Sequence, residues 1–258
     1  MTQTATAAPS AKGSNLVGAG ILALWLALGA VLLFAGQAPH IVTFAFVMVG
    51  WVLSVMLHEF SHAAVAWLGG DHTVKTKGYL DFDPRRYGAL QTTLLIPILA
   101  LALGGIGFPG GAVYLRNDLM RSRAWRSAAA LAGPAATAII LLLLAIGLRL
   151  WAAQGEAAGD LFAALAMLAF LQAMALILNL LPLPGLDGFN ALRPFLPVSL
   201  GSTLRRAEGL TWLALLALIF FVPGVGAGFF SIAAELAATL GAPPEAMQRG
   251  WDAFHFWR

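Results

Sequence analysis

The chain of 258 residues contains no cysteine, and only 10% of its residues are charged. Without cysteine there are no disulfides, and any metal ion must be held by nitrogen and oxygen ligands alone. The scarcity of charge accompanies 60% hydrophobic residues and a mean hydropathy of +0.82, values that exclude an ordinary soluble domain. No stretch outside the apolar runs is long enough to bury a core of its own, so we expect no appended soluble domain.

The apolar residues form long runs, at 16–35, 41–68, 127–150, 161–181, 210–222 and 229–240. The first four runs are long enough to span a bilayer as helices, whereas the last two fit either a hairpin or two full spans. We therefore expect an all-α polytopic membrane protein with about six transmembrane helices. Its parts would be a disordered tail at 1–15, a single transmembrane domain at 16–240 and a short cytosolic C-terminal tail at 241–258.

The second apolar run contains two histidines and a glutamate in the pattern H-E-x-x-H. On a helix His58 and His62 are one turn apart on the same face and can hold one metal ion, with Glu59 beside them. This pattern is typical of zinc peptidases, in which the glutamate takes a proton from the zinc-bound water. The alternative is an accidental group of polar residues on a core helix. An ionisable group inside the bilayer costs roughly 2.5 to 3.5 kcal/mol, which makes an accident less plausible than a function.

The segment at 90–115 is apolar but is broken by Pro97 and by a glycine-rich stretch at 104–111. Basic residues flank it on both sides, which predicts that the chain enters the membrane and returns to the same side. A re-entrant hairpin and a helical pair with a glycine-rich turn both fit this pattern. Irregular backbone inside a membrane must border protein or a water-filled cavity, so the hairpin would form a wall of the active site.

The basic residues also predict an orientation for the chain. If the N-terminus, the loops at 69–126 and 190–208 and the C-terminus share one side, that side holds every Lys and Arg except Arg149, which is 14 of 15, and it is the cytosol. The fourth helix then ends on the cytosolic side, where Asp187 can meet the two histidines as a third metal ligand. The alternative for Asp187 is an ordinary Asp-Gly turn.

The H-E-x-x-H pattern and the stretch from Asn179 to Gly188 resemble the two signatures of the site-2 protease family of intramembrane metalloproteases. That family pairs H-E-x-x-H with an N-x-x-P-x-P-x-x-D-G stretch, whose fixed positions are all present here as Asn179, Pro182, Pro184, Asp187 and Gly188. The resemblance covers about residues 40 to 195, the family's three-helix catalytic core. It implies that His58, His62 and Asp187 bind Zn²⁺, that Glu59 is the base, and that Asn179 holds the substrate strand or the developing oxyanion.

The resemblance further implies cleavage of a membrane-spanning substrate protein to release a cytosolic fragment, in the inner membrane of a bacterial cell. There are two departures from the family. Thr137 stands where the family often has Asn after Ala132-Gly133-Pro134, and no insertion is large enough for the peptide-binding domain that some members carry.

Three other functions are alternatives to a protease. Five histidines are too few for a di-iron membrane oxygenase, and a metal transporter would carry ionisable residues along several spans. A non-catalytic zinc-binding scaffold that binds transmembrane partners stays open. The net charge of +3 is explained by the predicted topology and gives no reason to expect nucleic acid as a partner. The oligomeric state is not predicted.

Overall fold

The computed structural model describes residues 11–87, 113–155, 159–206 and 208–257, and the only regular elements within these residues are helices. The α-helices are α1 (Ala11–Phe34), α2 (His40–Gly69), α3 (Thr73–Thr76), α4 (Arg123–Ala152), α5 (Asp160–Leu180), α6 (Asp187–Leu192), α7 (Val198–Arg206), α8 (Glu208–Phe221), α9 (Val225–Leu240) and α10 (Pro244–Phe254). Short 3-10 turns lie at Pro84–Arg86 and Arg193–Phe195. The predicted all-α class is confirmed.

Four of these helices, α1, α2, α4 and α5, are long and apolar enough to cross a membrane, and α8 with α9 adds a fifth crossing if the bent pair is counted as one span. The predicted number of about six is not confirmed. Helix α8 has 14 residues and α9 has 16, so they are roughly 21 Å and 24 Å long. Neither length reaches across a hydrocarbon core of about 30 Å. The two helices are bent by 92° at the break between them.

The bundle is centred on α5, whose most apolar window is 78% buried. Helix α2 begins after Pro39 and ends at Gly69. The next residue, Gly70, has a φ of +115° and donates its N–H to the Trp67 carbonyl. Helix α4 begins after Ser122, whose side chain accepts a hydrogen bond from the Trp125 N–H. These helices pack side by side, and the largest apolar cluster of the described residues lies between α2, α4, α5 and α10.

The bundle has two ends that differ in what they contain. At one end, called the Gly69 end here, the Arg121 N–H donates to Gly69 O at 2.9 Å, which joins the end of α2 to the start of α4. At the other, the Asp160 end, the Ala38 N–H donates to Asp160 Oδ2 at 2.9 Å, which joins the start of α2 to the start of α5. Helix α2 therefore runs antiparallel to α4 and parallel to α5.

The C-terminal helix α10 packs at the Asp160 end. The rings of Phe254 and Phe44 are 5.0 Å apart, and Gly250 lies against the Ala163 carbonyl with no room for a side chain. The preceding Gly241 lies against Arg149, the one basic residue that the charge pattern assigns to the side away from the basic loops. Helix α10 thus lies within the segment predicted to be a cytosolic C-terminal tail at 241–258, and the side of the membrane on which this segment lies stays a prediction.

Two predicted segments fall largely outside the described residues. Of the tail expected at 1–15, residues 1–10 lie outside, and α1 already begins at Ala11. Of the hairpin or helical pair expected at 90–115, only residues 113–115 are described, and they belong to no helix or strand.

Candidate active site

The two histidines and Asp187 meet at the Gly69 end of the bundle. His58 Nε2 and His62 Nε2 are 3.0 Å apart, and Asp187 Oδ2 is 3.1 Å from the first and 3.4 Å from the second. Within the described ranges, these three residues are the one group of at least three histidine or carboxylate side chains that is placed to hold a metal ion. His72 and His40 are exposed and stand outside it.

Asp187 reaches the histidines because the chain reverses sharply after α5. The helix ends at Leu180, the two prolines of the following segment prevent its continuation, and Gly185 adopts a φ of +92°. Gly188 then packs against the carbonyls of Leu180 and Leu181, where a Cβ atom would collide with both. This reversal places Asp187 at the first residue of α6, facing α2.

The Nδ1 atoms of both histidines are occupied by hydrogen bonds. His62 Nδ1 donates to the Ala129 carbonyl at 2.7 Å, so its proton is on Nδ1 and the Nε2 lone pair is available to a metal. His58 Nδ1 is 2.9 Å from Thr137 Oγ1. Metal-binding histidines usually have their second nitrogen fixed in this way. The sequence left the role of Thr137 open, and the structure shows its hydroxyl against His58.

A space suited to a metal ion lies between the histidines and α4. A Cβ atom on Gly133 would collide with His62 Nε2 and His58 Nε2. Because glycine has no side chain, this space stays free. Two imidazole nitrogens and a carboxylate oxygen on its border are the donor set of a catalytic zinc site. The donors and the space next to them therefore fit Zn²⁺.

Glu59 is buried, and its Oε2 accepts a hydrogen bond of 3.1 Å from the Val113 N–H. Glu59, His62 and Asp187 line one open cleft of about 720 Å³. Three residues outside any helix border the same cleft: Val113, Tyr114 and Leu115. The last residues of the segment predicted to form a wall of the active site thus contribute to it.

Asn179 lies apart from this cleft. Its side chain is buried and lines a smaller cavity together with His58 and Thr137. Since Thr137 contacts Nδ1 of His58, this cavity is on the side of the imidazole ring that faces away from Nε2. The structure thus brings His58, Glu59, His62 and Asp187 together and places Asn179 behind His58.

Comparisons with known proteins identify relatives of this chain. It is 40% identical over 242 residues to the Mycobacterium tuberculosis protein Rip2, covering 92% of each chain, and 39% identical over 219 residues to Rip2 of Mycolicibacterium smegmatis, covering 84% of this chain and 83% of the relative. The Bacillus subtilis protein YwhC is 26% identical over 189 residues, covering 70% of this chain and 82% of its own. The names of all three class them as zinc metalloproteases.

No family model matches the chain, and no solved structure matches it. The names of the relatives and the group of His58, His62 and Asp187 indicate Zn²⁺ as the cofactor and support a metalloprotease function. The extent of the similarity to Rip2, over nearly the whole of both chains, establishes that this protein belongs to the site-2 protease family of zinc metalloproteases.

Proposed function

We propose that the chain is an intramembrane endopeptidase, which hydrolyses a peptide bond within or near the transmembrane segment of a protein substrate and releases a cytosolic fragment. The observation that carries this proposal is the position of the metal group. His58 and His62 are buried inside a helix of 30 residues that is apolar enough to span a bilayer, yet they lie beside an open cleft. A metal group at this depth is within reach of a peptide bond near the membrane surface.

In this proposal His58, His62 and Asp187 hold the zinc ion, and Glu59 is the general base. Bound zinc lowers the pKa of a water ligand and polarises the scissile carbonyl group. Glu59 accepts the proton of that water and then passes it to the departing amine. The hydrogen bond from the Val113 N–H to Oε2 fixes the carboxylate in position and leaves Oε1 to exchange the proton.

The substrate would enter as an extended strand. A helical peptide bond is shielded by its own hydrogen bonds, so the cleaved part of a transmembrane helix must unwind first. Val113 to Leu115 border the cleft and belong to no helix, so we expect such a strand to lie beside them. Glycine or proline in the substrate helix should favour cleavage because both weaken helices.

We further propose that the Gly69 end faces the cytosol. The described residues at this end include most of the basic residues, as the positive-inside rule requires of a cytosolic side. Among them, Arg123 and Arg126 in the first turn of α4 and Arg193 after α6 lie on the border of the cleft. The Asp160 end and α10 then face the opposite side. The N-terminus and the active-site opening would be cytosolic and the C-terminus external.

The decisive test of the protease function is Glu59→Gln, because an amide cannot accept the proton of the water at neutral pH. We expect this variant to retain zinc and substrate while turnover falls by about 10² to 10⁴-fold or more. The measurement is accumulation of an uncut transmembrane partner in cells with the variant, and its disappearance when the native protein is restored. If both proteins contain zinc and leave every bound partner equally intact, the chain is a zinc-binding scaffold.

The orientation can be tested with single cysteines, since the native chain has none. We expect a cysteine at Lys75 to react only with cytosolic reagent, and cysteines at Glu156 and Asp252 only with external reagent. A model with six spans, in which α8 and α9 each cross the membrane, predicts cytosolic labelling at Asp252. Labelling of that position from the cytosol would therefore reject the single bent crossing.

A further inference from the structure

The smaller cavity behind His58 is lined by eight buried residues: Trp51, Ser54, Val55, His58, Thr137, Gln172, Ala175 and Asn179. Five of them besides His58 carry polar side-chain atoms, an unusual concentration for the middle of an apolar bundle. The volume of the cavity is about 10 Å³, the space of a single water molecule. None of the functions assigned above uses Gln172 or Trp51.

Several polar groups around this cavity lack a protein partner. Three buried side-chain nitrogen atoms of cavity residues have no hydrogen-bond partner in the described part of the chain: Trp51 Nε1, Gln172 Nε2 and Asn179 Nδ2. Leaving such a buried group without a hydrogen-bond partner destabilises the folded protein. If the Gln172 amide were turned over, its oxygen would occupy the same position and would need a partner as well.

The hydroxyl groups of Ser54 and Thr137 can also form hydrogen bonds with a molecule in this cavity. Ser54 Oγ already donates to the Gly50 carbonyl at 2.9 Å, so towards the cavity it can only accept. Thr137 Oγ1 accepts the proton of His58 Nδ1 when Nε2 binds a metal, and its own O–H then needs an acceptor. One water molecule can accept from Thr137 and from one amide and can donate to Ser54.

We infer that the cavity binds one ordered water molecule, which links the side chain of Gln172 to Thr137 and thereby fixes the orientation of the zinc ligand His58. Gln172 is then a positioning residue that acts on the metal through the water, Thr137 and His58. The inference rests on the proposed zinc site, but it does not require that the protein cleave a substrate.

The chemistry distinguishes this second cavity from an oxyanion site. The oxygen of a substrate carbonyl must approach the metal, on the Nε2 side of His58, whereas the cavity is on the Nδ1 side. Water is also the ligand whose size fits, since a peptide group would need several times the available volume. The polar groups of this cavity therefore orient the zinc ligand His58 and do not bind the substrate.

The test is zinc affinity, measured by competition with a chelator in the purified full-length protein in detergent. We expect Gln172→Leu and Thr137→Val each to weaken zinc binding by about 10-fold, the lower range for residues that orient metal ligands. Because both act through one water molecule, the double variant should be no weaker than either single variant. Thr137→Ser, which keeps the hydroxyl, should restore native affinity. Met167→Leu, a buried change on the same helix away from the cavity, is the control.

Thermal unfolding of the zinc-free variants separates positioning from packing. If Gln172 only packs, Gln172→Leu changes the melting temperature of the zinc-free protein and leaves the zinc affinity within twofold of native. That result, or a double variant whose loss is the product of the two single losses, overturns the inference. These measurements use no substrate, so their failure would leave the Glu59→Gln test of the protease function unaffected.

Discussion

The two ends of the bundle are stabilised in different ways. The Gly69 end buries polar side chains beside apolar ones, and Asp71 is an example of the polar ones: its completely buried carboxylate accepts hydrogen bonds from the Arg116 N–H at 2.7 Å and from the Thr73 N–H at 3.1 Å. At the Asp160 end aromatic rings make the contacts. Phe44 lies 5.0 Å from Phe254 and 5.5 Å from Trp257.

The Gly69 end therefore carries the candidate metal site, whereas the Asp160 end contributes mainly to the stability of the fold. Polar groups at the Gly69 end are held by specific hydrogen bonds whose geometry matters, and the metal donors lie among them. The aromatic contacts at the Asp160 end depend on buried area and tolerate small shifts. Substitutions near His58 should therefore change zinc binding before they change folding, and substitutions near Phe44 should do the reverse.

The largest effect expected is that of Gly133→Ala. The added methyl group would occupy the space beside His58 Nε2 and His62 Nε2, so we expect the purified variant to contain no stoichiometric zinc. The measurement is metal content by elemental analysis. Gly147→Ala on the same helix is the matched control, because a Cβ atom there meets nothing within 4 Å and zinc should be native. Full zinc content in Gly133→Ala would mean that the metal does not lie between the histidines and α4.

A smaller loss is expected from Asp187→Ala, which leaves both histidines in place. Removing one of three protein ligands should weaken zinc by more than the 10- to 100-fold typical of residues that only orient a ligand. His58→Ala should reduce zinc retention further, since it removes a nitrogen donor from the helix that also carries His62. A competition titration with a chelator ranks the variants. Native affinity in Asp187→Ala would remove this residue from the metal site.

Phe254, which is completely buried at the Asp160 end, tests whether the two ends of the bundle are independent. Phe254→Ala should lower the free energy of unfolding by about 3 to 5 kcal/mol through lost burial and a residual cavity, with zinc content unchanged in the folded protein. The control is Phe256→Ala, since that ring is 43% exposed and should matter much less. Loss of zinc from folded Phe254→Ala would show that the two ends are coupled.

The positions of the four longest helices were predictable because each is a run of apolar residues longer than the bilayer core. The metal group was partly predictable. His58 and His62 follow from helical spacing alone, while the approach of Asp187 was predicted from the charge pattern and the family resemblance. Thr137 was visible in the sequence only as a departure from the family. Its contact with His58 depends on how α4 is rotated against α2, which no local pattern encodes.

The fate of the last two apolar runs was not predictable from composition. Runs of 13 and 12 residues fit a hairpin or two full spans equally well, and in the structure they form α8 and α9, which are bent by 92° at the break between them. The expected side of the C-terminus depends on whether this pair crosses the membrane once or twice. The predicted hairpin at 90–115 stays a prediction, because residues 88–112 lie outside the described part of the chain.

Hydropathy and helical periodicity are local properties, so the amino-acid order alone indicates that the chain spans a membrane and that one helix carries two histidines and a glutamate in a zinc-peptidase pattern. Which side chains meet across the bundle depends on how the helices pack. The contacts of His58 with Asp187 and Thr137, separated from it by 129 and 79 residues, depend on the rotation and offset of packed helices. The same packing left the space beside Gly133 and the cavity around Gln172, because voids arise between elements and belong to no single segment.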